Sequence, residues 1–136
     1  MAKAGQLATT FVSWRKLREF SDVDLTRSFV LSWHVEAGTL LIDVDLFLEP
    51  GHAFYEKPRP AEKVCIRPAI IEFPYCVSII ENGAASNASL GDIAASLNVG
   101  AIEGVRRFSD GPYEIRGAFG TIRVDAERPV LKLRGA

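Results

Sequence analysis

The chain has 136 residues, 48% of them hydrophobic, and its 16 basic and 17 acidic side chains leave a net charge of −1. That length suits a single domain over 1–136, able to bury about two-thirds of its unfolded surface without a disulfide or metal staple, and the apolar content argues against disorder. The balanced charge lacks the basic excess that grips phosphate backbones, so nucleic acid is not an expected partner.

Cys65 and Cys76 make no disulfide framework and read as two reduced thiols. The opening Met1-Ala2-Lys3-Ala4-Gly5-Gln6 lacks the apolar run of a signal peptide. No window approaches the ~18 apolar residues of a membrane span. No membrane contact and a cytoplasmic location are the resulting expectations.

In chain order, the first element reads as a short helix capped by Thr9 or Thr10. Phe11, Trp14, Leu17 and Phe20 recur at steps of three with charged residues between. Ser21-Asp22-Val23-Asp24 supplies a turn. A hairpin follows, turning at Ala37-Gly38. Pairing Glu36 with Thr39 sets Val35 against Leu40, Trp33 against Ile42, Leu31 against Val44 and Phe29 against Leu46, so that one face is wholly apolar. Residues 49–62 carry three prolines and a glycine and read as a loop. Val64 to Ile80 is extended, with Pro68 and Pro74 marking an edge position or bulges. Residues 81–88 are a polar loop. Ser89-Leu90-Gly91-Asp92 resembles a capping box ahead of Leu90, Ile93, Ala94 and Leu97, a helix of two turns that Gly100 could end. A strand over 101–108 leads to the turn Ser109-Asp110-Gly111-Pro112.

The C-terminus reads as a three-strand meander. A turn at Gly117–Gly120 pairs Arg116 with Thr121, Ile115 with Ile122, Glu114 with Arg123 and Tyr113 with Val124. A second turn at 126–129 is expected to pair Val124 with Leu131 and Ile122 with Leu133, and to place Lys132 beside Arg123. The expected fold class is α+β: an antiparallel sheet or meander of six or seven strands, curved or split in two, with one or two short helices.

His34 is the first candidate for chemistry. In the hairpin register it is on the outer face opposite Leu41 and diagonal to Asp43, with Asp45 further along. A histidine with two carboxylates could hold a metal or activate a water, but the outer face is also where solvated polar residues belong. The pairs Asp22/Asp24 and Asp43/Asp45 lack the glycine turn and further oxygen ligands of a calcium loop. Cys65 has no CxxC partner or adjacent histidine and reads as an inert thiol. No G-x-S-x-G, P-loop or H-E-x-x-H occurs, and no cofactor or metal is expected. The loop is the most informative feature: it is long, and it combines His52, Phe54, Tyr55, Lys57 and Arg59, a mixture suited to gripping a protein surface. The alternative is that Phe54 and Tyr55 fold back over the sheet edge.

Three stretches carry a family resemblance: Phe20–Trp33, Ile70-Ile71-Glu72-Phe73-Pro74, and Gly117-Ala118-Phe119-Gly120-Thr121-Ile122. On these the chain resembles small, uncharacterised β-rich bacterial domains. In layout it is loosely similar to immunity proteins of polymorphic toxin systems, with Ser21-Asp22 where those often carry a His-Asp pair. The resemblance implies a toxin-binding role and brings no catalytic residues. The leading expectation is a non-enzymatic protein-interaction module, its partner another protein or its own copy. The rivals are a small metal-dependent hydrolase built on His34, Asp43 and Asp45, and a small-ligand binder in a β cavity lined by Trp33 and Phe29.

Overall fold

A computed structural model describes residues 10–134. Its strands are β1 (Phe11–Ser13), β2 (Val23–Glu36), β3 (Thr39–Leu48), β4 (Cys65–Phe73), β5 (Ser78–Glu81), β6 (Gly100–Phe108), β7 (Tyr113–Gly117), β8 (Gly120–Asp125) and β9 (Val130–Leu133), with one α-helix, α1 (Leu90–Ser96). All pairings are antiparallel and run in the order β5-β8-β7-β6-β2-β3-β4-β9, with β1 on β6. The described residues are therefore mostly β, and their nine strands roughly match the about six or seven expected. No helix among the described residues is long and apolar enough to cross a membrane.

The sheet folds over on itself. Strands β7 and β4 stand four places apart, about 19 Å along a flat sheet at 4.8 Å per strand. Yet the Tyr113 and Phe73 rings meet edge-to-face with centroids 5.2 Å apart. The inner faces of both halves thus share one core. In β3, Leu40, Ile42, Val44, Leu46 and Leu48 alternate into it without a break.

The stripe Trp14, Leu17, Phe20 does pack inward, but not as an α-helix. Trp14–Lys16 and Arg18–Phe20 are two 3₁₀ turns, and Phe11 is exposed on β1. A step of three is the 3₁₀ repeat, in which residues i and i+3 eclipse, so the spacing fits that helix better than the 3.6-residue one. Ser13 caps the first turn through the Arg15 N–H at 3.4 Å; Thr9 lies outside the described residues. The second helix forms as expected, with Ser89 Oγ accepting the Asp92 N–H at 3.1 Å. It ends at Ser96, and Gly100 opens β6 instead.

The hairpin register holds from Glu36–Thr39 to Ser32–Asp43 and then slips. Leu31 is an extra residue, so Val30 faces Val44 and Phe29 faces Asp45. This correction exchanges faces: Val30 is buried, while Phe29 and Leu31 are 46% and 41% exposed. Nearer the start of β2, Leu25–Ser28 bulge opposite Leu46 alone. Asp24 is the cause. Its Oδ1 accepts the Thr26 N–H at 3.0 Å and the Thr26 hydroxyl at 2.6 Å, a local turn that competes with the ladder.

The extended run after Val64 divides into β4 and β5, broken at Pro74 and at Tyr75, whose φ is +52°. Pro68 fits within β4 because its carbonyl accepts the Arg134 N–H at 3.0 Å. The N–H and C=O of one strand residue point to the same side, so the missing donor faces the short β9 side and the β3 ladder loses nothing.

In the C-terminal meander the first hairpin has the expected register throughout. The second does not form. β9 crosses to β4, where Leu131 pairs with Ile71 and Leu133 with Ala69, and Lys132 bonds Glu72 at 3.1 Å. β5 takes the place beside β8, with Ile79 opposite Val124. A four-residue alternating segment fits beside any strand with an apolar inner face, so its pattern sets a face but not a neighbour.

Tyr113 is fully buried, and its hydroxyl donates to Glu19 Oε2 at 2.8 Å while Arg128 bonds Glu19 Oε1 at 3.1 Å. Burial and the Glu19 carboxylate push the phenol well above its ordinary value near 10. Burial likewise raises the Cys76 thiol. A group whose folded-state pKa is raised contributes stability that is complete below its unfolded value and lost above it. The thermal midpoint should therefore be flat near neutrality, begin to fall as pH passes the thiol's ordinary value of about 8.5, and fall further past about 10. In Tyr113→Phe that alkaline slope should be shallower; an equal slope would show that Tyr113 is not the group titrating.

Candidate interaction surface

The outward residues of β2, β3, β4 and β9 form four rows across the sheet. His34, Leu41, Glu72 and Val130 make one row, and Ser32, Asp43, Ile70 and Lys132 the next. Phe29, Asp45 and Pro68 make the third, and Phe47 with Ile66 the fourth. Half of this face is apolar, and Phe29, Ile66 and Val130 are exposed on it, as is the bulged Leu31 beside them. A one-sided sheet normally turns polar residues outward, so this concentration is unusual.

The predicted acid–base trio occupies the same face. His34 is opposite Leu41 as expected, but Asp43 is engaged elsewhere: it accepts the Ser32 hydroxyl at 2.6 Å and faces Arg134 at 3.8 Å. Asp45 lies between Phe29 and Pro68. Among the described residues no group of three or more His, Cys, Asp or Glu is placed to hold a metal ion. Trp33 points into the core, where it packs edge-on against Phe119 at 5.2 Å and its indole N–H donates to the Asn98 carbonyl at 2.8 Å. Trp33 and Phe29 lie on opposite sides of the sheet and line no common cavity.

The loop is irregular, as expected, and firmly tied. Its entry is held by Glu49 N–H to the Asp22 carbonyl at 2.9 Å, and a Cβ on Gly51 would come within 2.8 Å of the Asp22 carboxylate. Successive turns follow through His52 to Glu49 and Tyr55 to His52, each at 3.0 Å. His52 Nδ1 accepts the Phe54 N–H at 3.0 Å, a role open only to the neutral ring. Burial lowers the His52 pKa, with Asp22 partly offsetting it. Phe54 and Tyr55 are half-buried and pack on the core, which is the fold-back alternative. Lys57 and Arg59 remain exposed. Arg67 anchors the middle through Glu56 at 2.5 Å and the Phe54 carbonyl at 3.4 Å. Between loop and strand lies a cleft of about 360 Å³, whose wall includes Lys57, Arg59, Ile66 and Pro68, so it opens onto the outer face.

Comparison with protein-family models, curated proteins and solved structures yields no match.

Sequence reading missed the contribution of Phe29 and Leu31, which strict alternation assigned to the core. No local pattern marks the Leu31 bulge that turns them outward; the Asp24-Leu25-Thr26 turn signals only the separate bulge at Leu25–Ser28.

Proposed function

We propose that this protein is a non-enzymatic interaction module that docks a protein partner on the outer face of β2, β3, β4 and β9 and on the Lys57/Arg59 rim beside it. A toxin, as in the immunity-type reading, and a second copy of the chain are the two concrete partners. The observation that carries the reading is that half of this sheet face is apolar, with Phe29, Leu31, Ile66 and Val130 exposed on it, where solvated side chains are the rule. Four strands by about seven residues span roughly 300–400 Å². A stable complex covers about 800 Å² per partner, so the loop rim has to share the contact. The ion pairs Lys132–Glu72 and Arg134–Asp43 lie within the same face, where they add polar contacts between its apolar side chains.

The test places a photo-crosslinking residue at Ile66 and irradiates the cells that make the protein. A discrete adduct is expected, and it should disappear in Phe29→Asp while the thermal midpoint stays within about 2 °C, because Phe29 is exposed. No adduct, or one indifferent to Phe29→Asp, would overturn the reading.

A further inference from the structure

Strands β1, β6 and β7 belong to the other half of the sheet and have an outer face of their own. By register, Ser13, Arg106 and Glu114 form one row across it, and Gly104 with Arg116 the next. Glycine leaves that second row open. A hollow of about 260 Å³ lies over it, walled by Phe11, Trp14, Glu103, Arg106, Glu114 and Arg116.

One wall presents an unused donor. A Cβ on Gly104 would meet Trp14 Nε1 at 3.7 Å and Trp14 Cδ1 at 3.8 Å, so the N–H edge of the indole borders the open space. The Trp14 side chain is otherwise enclosed, at 6% exposure. Among the described residues its N–H has no acceptor, whereas the N–H of Trp33 donates to the Asn98 carbonyl at 2.8 Å. Nor is it sealed from water, since the unpartnered nitrogen that is sealed is Arg107 Nε. A donor in a largely buried side chain is normally satisfied, and the hollow is where its acceptor would sit.

The other groups on the walls narrow the chemistry of that acceptor. Arg106 is engaged, bonding Glu114 at 2.8 Å and lying over the Phe11 ring at 4.2 Å. Arg116, opposite Gly104, is exposed and forms no ion pair among the described residues. A neutral donor and a cationic one therefore border the same space. Two glutamates already balance the two arginines on the walls, which suits one added negative charge better than the nearly two of a phosphate group. Phe11, 50% exposed, supplies an apolar wall against which a ring can pack edge-on. Benzene fits a cavity of about 150 Å³, so the hollow has room for one ring bearing a carboxylate.

We infer that this hollow binds a small aromatic monocarboxylate, whose oxygens accept from the Trp14 N–H and the Arg116 guanidinium while its ring lies against Phe11. The site goes beyond the docking face on β2, β3, β4 and β9, and neither depends on the other.

The chain has two tryptophans, so its indole N–H signals can be followed by nuclear magnetic resonance with the bonded Trp33 as internal reference. Phenylacetate is titrated to ~10 mM, because a ligand of this size binds with about millimolar strength. It should move the Trp14 signal in a saturable way and leave that of Trp33 in place. Phenethylamine, with the same ring and the opposite charge, should move neither. Arg116→Gln should weaken phenylacetate binding by about threefold or more, and its exposure keeps the fold out of the result. Gly104→Ala sets a methyl group in the hollow at ordinary contact distance from the indole, and should weaken binding by about fivefold or more. A Trp14 signal indifferent to phenylacetate, an equal response to the amine, or an affinity unchanged by either substitution would refute the assignment.

Discussion

Gly117→Ala is expected to cost about 3 kcal/mol or more, lowering the thermal midpoint by at least ~10 °C or preventing soluble expression. A Cβ at this position would lie 2.3 Å from the Ala101 carbonyl oxygen and 2.6 Å from two carbons of the Phe119 ring. Neither neighbour can give way freely. The Ala101 carbonyl accepts the Ala118 N–H at 2.9 Å, closing the turn between β7 and β8 onto β6. The Phe119 ring is held edge-on against buried Trp33. The cause is space and not backbone freedom, since Gly117 is not among the positive-φ residues. Gly104→Ala is the matched control: its nearest neighbour would be Trp14 Nε1 at 3.7 Å, an ordinary contact, and its midpoint should shift by no more than ~2 °C. Thermal denaturation of the two variants decides the point. Equal midpoints would mean that β6 and β7 do not approach so closely.

Ser28→Ala is expected to cost about 2 kcal/mol, and a midpoint lower by ~6–10 °C by circular dichroism would show it. Ser28 is a buried polar residue of the core, at 0% exposure. Its hydroxyl donates to the Asp24 carbonyl at 2.8 Å and accepts the Phe47 N–H at 3.0 Å, bridging the place where Leu25–Ser28 leave the ladder. Alanine would strand one backbone donor and one acceptor away from water, and that desolvation, more than the lost bonds, sets the cost. Ser32→Ala removes a hydroxyl that bonds Asp43 on the outer face and should change the midpoint far less. If Ser28→Ala melted with the parent, water would have to reach both stranded groups.

The site was less legible than the fold. The loop's boundaries and the outward placement of His34, Asp43 and Asp45 could be read from alternation and proline content. That Phe54 and Tyr55 pack back while Lys57 and Arg59 stay out depended on Arg67 reaching Glu56 and the Phe54 carbonyl. That contact joins segments which no local pattern links.

Local order was written in the chain: the period-two runs of β3 and β7–β8, the Ala37-Gly38 and Gly117–Gly120 turns, and the Ser89 cap all follow from side chains acting on their own neighbourhood. Tertiary structure alone decided that β9 pairs with β4 and β5 with β8, that the sheet folds until Phe73 meets Tyr113, and which face Phe29 takes. The reason is that alternation tells a strand which side to bury but is equally satisfied by any apolar neighbour. The choice of neighbour, and the insertion of a bulge, is settled only when the whole core closes.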